Sequence, residues 1–389
     1  MNSSSARLHI VDALRGFAIV SIMLLHNLEH FDYYFIPAGL PVWMQTLDSF
    51  IMDSMFFLFG GKSYAIFALL FGLTFFIQSD NQKKKGKDFR LRFAWRLALL
   101  LLFGLINSAF YEGDILMIYA ALGFSLIPVA KLNNKVVFII AAVFMFQPYE
   151  WINFVWGIQN QNAVLADPGS SVYFGNIKEY IEGNSIINTL FGNLTNGRKA
   201  IILWNWENGR FFQTISLFML GMLAGRKSLF KISDENKKFW KTVLIVSAIA
   251  FIPLFIIKDS LGGWIESEAI KRPLLTIETT WSNLAFMFIL VSGFVLLFQT
   301  KVFYRILNVF SSYGKMSLSN YIIQSIIGSF IYYGFGLGLY KYTGATYCLL
   351  IGIVLAILQG FFSSWWMKNH KQGPLETIWH KLTWIGTGK

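Results

Sequence analysis

Charge is scarce in this chain. Of its 389 residues only 14% are Asp, Glu, Lys or Arg while 55% are hydrophobic, and a water-soluble domain needs far more charge than that. Cysteine is nearly absent: Cys348 stands alone, which excludes an intramolecular disulfide. No small-residue cleavage site follows the first apolar run, where His26 and Asn27 come instead, so that run is expected to stay. There is no internal repeat of the transporter kind and no separate soluble stretch. The expectation is a single all-α, polytopic integral membrane domain over residues 1–389.

Acidic residues are also in deficit, 21 against 33 basic ones, for a net charge of +12. Such an excess can mark a nucleic-acid partner, but here it is concentrated in short loops, as membrane orientation requires. One loop, about 79–91, holds Lys83, Lys84, Lys85, Lys87 and Arg90, with Arg92 just beyond. Another, about 227–239, holds Lys227, Lys231, Lys237 and Lys238, and Lys301, Arg305 and Lys315 follow later. No nucleic acid is therefore expected, and these loops are assigned to the cytoplasm. Ten spans are predicted near the ~20 residues that a bilayer needs. They run roughly over 8–28, 52–78, 92–110, 114–131, 135–153, 210–226, 240–258, 281–300, 317–339 and 344–367. Both termini are then cytoplasmic, and the 39 Phe, 13 Trp and 16 Tyr suit lipid-facing surfaces and interfacial belts. Three polar or aromatic segments fall outside: 29–51, the Asn-rich 154–209, and 259–280. A loop of the length of 154–209 can cap a site, and its texture suits a polyhydroxylated ligand.

The first apolar run, LHIVDALRGFAIVSIMLLHNL, carries Asp12, Arg15 and His26. Arg15 and His26 are eleven residues apart, roughly three turns, so both lie on one helix face about 16 Å apart. Charges inside a spanning helix almost always face a bundle interior or a water-filled cavity. A histidine near neutrality can act as general base toward an alcohol or amine. An arginine one leaflet away can hold the phosphates of a donor. The bland alternative has Arg15 reaching lipid headgroups and His26 at the interface. His26 and His30 at i, i+4 could share a metal, with Glu29 and Asp32 as local further ligands, but helix-end coincidence is the preferred reading, so no metal is expected.

Lys62 interrupts the second span at Gly60-Gly61-Lys62. A break at that depth is tolerated only where protein or a cavity covers the freed backbone, and the lysine needs a partner or a cavity too. Asp114 opens the fourth span and is well placed as a helix cap. Arg210 opens the sixth from the long polar segment. In the ninth, Ser317, Asn320, Gln324 and Gly328 make a polar stripe that either glues helices or lines a channel.

Taken in order, RLHIVDALRGFAIVSIMLL, GGKSYAIFALLFGL, EGDILMIYAALGF, GKMSLSNYIIQS and GPLETIWHKLTW resemble the YeiB-like family, bacterial membrane proteins carrying domain of unknown function 418. That family is grouped with transmembrane acyltransferases, alongside the acyltransferase-3 proteins and the lysosomal heparan glucosaminide N-acetyltransferase. The resemblance implies a ten-helix core in a bacterial inner membrane. It also implies a cytoplasmic acyl-CoA donor, acetyl-CoA first among them, and an acceptor on the far side, often a sugar. The acyltransferase-3 signature, Arg, ten residues, then His, is met by Arg15 and His26, while Lys62 and Asp114 match the Gly-Lys and Gly-Asp-Ile-Leu motifs.

The expectation is thus an acyltransferase. His26 would be its base, with Lys62 or Asp114 stabilising charge or orienting it. Arg15, Asp12, Asn27, Arg210, Asn320 and Gln324 would bind donor or acceptor, the acceptor being an extracytoplasmic glycan or small molecule. The alternative is a transporter or flippase for an anionic or lipid-linked small molecule, and homo-oligomerisation stays open.

Overall fold

In a computed structural model that describes residues 9–386, every regular element is a helix. Six helical stretches are long and apolar enough to cross a membrane, or seven if one pair bent by 40° is a single span. The chain is a multi-pass membrane protein. Helix α1 (His9–Leu28) is its axis, with 67% of its most apolar window buried inside the protein.

The second expected span is observed as two helices that run on from one another, α2 (Val42–Phe59) and α3 (Ser63–Lys83), interrupted where the sequence predicted. Gly61 makes the break with φ +75°, a backbone conformation that side chains rarely adopt. The stretch begins well before residue 52: residues 42–51, expected as part of a surface segment, are its first turns. α4 (Arg90–Phe110) follows, then two short helices, α5 (Leu116–Gly123) and α6 (Leu126–Val129). α7 (Asn134–Met145) and α8 (Pro148–Gln159) form the bent pair, with the turn at Gln147 in the left-handed region and Pro148 starting the second helix.

The segment 154–209 is not a loop. It completes α8 and continues as α9 (Gly169–Gly175), α10 (Ile177–Ile181), α11 (Ile186–Gly192), a π-helical turn and α12 (Arg198–Glu207). These helices are too short to be stable alone, so burial of Ile177, Ile181, Ala200 and Ile201 must hold them. They form a lid over one end of the bundle, called here the capped end.

α13 (Arg210–Arg226) lies against α3 at a glycine crossing. A Cβ on Gly221 would collide with the Leu69 carbonyl oxygen, and one on Gly72 with that of Phe218. Long helices α14 (Asp234–Trp264) and α15 (Glu268–Phe298) then pair together, taking in most of the 259–280 segment expected to be polar surface. α14 is peripheral, with only 11% of its apolar window buried. Short α16 (Lys301–Leu307) and α17 (Phe310–Lys315) lead to α18 (Ser317–Tyr332), α19 (Ala345–Asn369) and α20 (Pro374–Thr383). α17 crosses α1 at a second close approach, Gly16 against Phe310 and Gly314 against Asp12. The end of the bundle near Lys83, Arg226 and α20 is the basic end.

Candidate functional site

At the capped end a cavity of about 1490 Å³ opens among α1, the α2–α3 break, α8, α12, α13 and α15. His26, two residues before the end of α1, faces it. Tyr111 Oη is 2.7 Å from His26 Nδ1, and the same oxygen donates to Asp32 Oδ1 at 3.3 Å. Glu29 Oε2 is 3.4 Å from His26 Nδ1, and its Oε1 accepts from Tyr34 at 2.7 Å. Three consecutive residues with positive φ, His30, Phe31 and Asp32, fold the chain back after α1 and bring Asp32 beside the imidazole. Gly113 leaves the space that this needs, because a Cβ there would strike both Asp32 Oδ2 and Tyr111 Oη. Burial pushes the Asp32 carboxyl well above its ordinary range and the nearby Glu29 charge adds to this, while the Tyr111 hydrogen bond opposes it. Glu112 is raised the same way, first by burial and then by Asp32, against a 2.9 Å bond from Tyr180.

Donor atoms of His26, Glu29 and Asp32 lie within 4.8 Å of one another, so these three residues can hold a metal ion. The pair weighed from spacing, His26 with His30, is not brought together. His30 is turned into the protein, its Nε2 2.8 Å from Thr343 O and its Nδ1 3.1 Å from Tyr33 O.

Lys62 and Arg210 line the same cavity. Lys62 Nζ donates to Phe56 O at 3.5 Å, and the Arg210 guanidinium lies 4.3 Å from the ring centres of both Tyr64 and Trp204. Gln213 accepts from Tyr64 and also donates to Thr280 O at 3.2 Å.

Arg15 opens onto a different space, a cavity of about 280 Å³ at the basic end. Its guanidinium donates to Thr74 Oγ1 at 2.9 Å and pairs with Asp12 at 3.3 Å, so Asp12 meets this cavity through Arg15. Gln78, Arg96, Lys315, Glu376, Trp379 and His380 line it too. Arg96 lies flat on Trp379, 3.6 Å from the ring centre, which pins α20 to the bundle. Glu376 accepts from Leu318 N at 2.7 Å and Ser319 Oγ at 2.5 Å, capping α18 from another helix. Tyr119 lines both cavities, and its hydroxyl donates to Tyr64 O at 2.6 Å.

The remaining expected residues lie outside both cavities. Asp114 accepts from Asn107 at 2.8 Å and from Met117 N at 3.0 Å, the capping role that its position suggested. Asn27 is fully buried, donating to Met23 O and accepting from Tyr332 at 2.9 Å. Asn320 ties α18 to α19 through Ser363 at 3.0 Å, and Gln324 is buried with its amide unpartnered. Sequence reasoning did not single out Tyr111, Gly113, Tyr119 or Glu376. The first two flank Glu112 just past the end of α4, and the break in apolar periodicity there was the available signal.

Fold and site together define a multi-pass helical membrane protein whose central helix joins two cavities at opposite ends. Residues 224–386 match the family model described as "Protein of unknown function (DUF418)". It is 28% identical to the uncharacterized protein YxaH of Bacillus subtilis, over 98% of this chain and 95% of that one. It is also 24% identical to an uncharacterized 39.9 kDa protein in the amylase 3' region of Bacillus acidopullulyticus, over 97% and 94%. Identity to the uncharacterized protein YeiB of Escherichia coli is 22%, over 97% and 96%. No solved structure matches the chain.

Proposed function

We propose that this protein is a membrane-bound acyltransferase that moves an acetyl or other short acyl group from cytoplasmic acyl-CoA to a hydroxyl or amine acceptor across the membrane. The observation that supports this reading is that Arg15 and His26, on one helix, open onto two cavities at opposite ends that meet at Tyr119. In this reading the basic end is cytoplasmic, following the Lys/Arg excess of its loops. α13 and α18, with 17 and 16 residues, and the α5–α6 pair also cross, which gives ten spans. Buried inner helices need less apolar sequence than lipid-facing ones, so length and hydropathy alone undercount them. The host membrane is a bacterial cytoplasmic membrane.

The donor's phosphates bind around Arg15, Arg96 and Lys315, and its thioester arm reaches roughly 16 Å along α1 toward His26. Side-chain movement at Tyr119 admits it. In the base form His26 Nδ1–H donates to Tyr111 Oη, whose own hydrogen goes to Asp32, and Nε2 keeps its lone pair. Nε2 takes the acceptor's O–H or N–H proton as the acceptor atom attacks the thioester carbonyl. The C–S bond breaks, and the imidazolium returns that proton to the departing thiolate. The purified protein is expected to turn over acetyl-CoA with a glycan acceptor, and His26→Ala is expected to lower the rate about 10²–10⁴-fold. Unchanged turnover in that variant removes His26 from the chemistry.

A transporter or flippase is the second reading, favoured by the closed septum between two cavities, which also suits alternating access. Thermal stabilisation by CoA separates the two, since a ligand that binds only the folded protein raises its stability. The enzyme reading requires that rise.

A further inference from the structure

Carboxylates line the large cavity, Glu29, Asp32 and Asp53 among them, but three of its cations, Lys62, Arg210 and Lys258, are ion-paired to none of them. Lys62 is only 7% exposed, and the ring centres of Phe286 and Phe57 lie 5.4 and 5.9 Å from its Nζ. Arg210 is held between two aromatic rings. Lys62, Arg210 and Lys258, the last on α14, all line this one cavity. Among the described residues no carboxylate oxygen comes within 4.0 Å of any of them. Asp53 lines the same cavity and bonds to Ser49; Glu278 is within electrostatic range of Lys258, but both of its oxygens are buried without a hydrogen-bond partner. Ring faces attract a cation yet bring no compensating charge. A buried cation without an ion pair is costly in a membrane and is by default read as part of a ligand path.

The same wall is aromatic. Phe57, Phe251, Phe255 and Phe286 pack with ring centres 4.9 to 6.1 Å apart. Phe57 and Phe255 line the cavity and are each 41% exposed on the protein surface, beside peripheral α14. A ligand that entered here would meet rings on the lipid side, Lys62 and Arg210 further in, and the exposed Lys258 on α14.

We infer that this wall binds a lipid-anchored anion. A phosphate-type headgroup sits against Lys62, Arg210 and Lys258, and its hydrocarbon tail leaves between Phe57 and Phe255. Calling that lipid the acceptor rests on the acyl-transfer reading; the binding does not. The test is native mass spectrometry of the full-length protein released from nanodiscs that hold equal amounts of dioleoylphosphatidic acid and dioleoylglycerol. Phosphatidic acid is expected to be retained at least about tenfold over dioleoylglycerol, and Lys62→Met and Arg210→Met each to lower that ratio about tenfold, with Lys62→Arg retaining it. Should the buried-site variants fail to fold, Lys258→Met, on an exposed helix face, must lower the ratio as well. Equal retention of the two lipids, or a preference unchanged in the Met variants, overturns the inference. Retention of inorganic phosphate without retention of phosphatidic acid means a soluble anion and overturns the lipid assignment. His26→Ala separates the two proposals, because it is expected to slow acyl transfer about 10²–10⁴-fold and to leave the lipid ratio as it was.

Discussion

Glu112 sits one residue from the Gly113 that makes room for the His26 cluster, and it is 1% exposed with Oε1 unpartnered. Its carboxyl is raised well above its ordinary value of 4.5, so between that value and the folded one the native protein binds more protons than the unfolded chain. Stability contributed by this group is therefore lost as pH rises through the window. Thermal midpoints of the wild type are expected to fall as pH climbs above about 4.5, and Glu112→Gln, which can still accept from Tyr180, to flatten that slope. Identical slopes would show that Glu112 does not ionise there. Little of this cluster could be read from the chain. Arg15 and His26 were legible because both lie on one uninterrupted helix with a fixed period. Glu29 and Asp32 were near His26 in sequence, but their meeting with Tyr111, at the end of α4, depends on a turn of three left-handed residues, and no periodicity reports such a turn.

Two elements cross where side chains are absent. Gly72 and Gly221 let α3 and α13 approach until each backbone touches the other's carbonyl oxygen. Gly221→Val must push the pair apart, and a loss of about 1–3 kcal/mol is expected in denaturation of the detergent-purified protein. Gly262→Ala, where a Cβ meets nothing within 4 Å, is the matched control. The apolar runs marked most of the long helices, and the Gly-Gly-Lys punctuation marked the α2–α3 break. The helices over 154–209 stayed hidden, because the sequence there is polar and the helices are held by burial against the bundle rather than by their own propensity. Asp114 was read for both a cap and a catalytic role, and local bonding to Asn107 and Met117 accounts for it.

Across the whole molecule the orientation proposed above has a direct readout. Cys348 is fully buried against His30, 3.2 Å from its Nε2, so the wild type offers an impermeant thiol reagent no target. Cysteines introduced at Lys84, at the basic end, and at Asn162, at the capped end, are both on exposed positions. In intact cells Asn162→Cys is expected to label and Lys84→Cys to label only after permeabilisation; the reverse pattern would invert the protein.

Tyr119 has an electrical consequence. Two water-accessible recesses bite into the bundle from opposite ends, and the field across the bilayer falls mostly over what is left between them, at this ring and its neighbours. A short insulating gap concentrates the voltage drop onto the very place where, in the acyl-transfer proposal, a thioester would pass. Reconstituted Tyr119→Ala is accordingly expected to conduct protons or small ions that the wild type blocks, read as dissipation of an imposed pH gradient in liposomes.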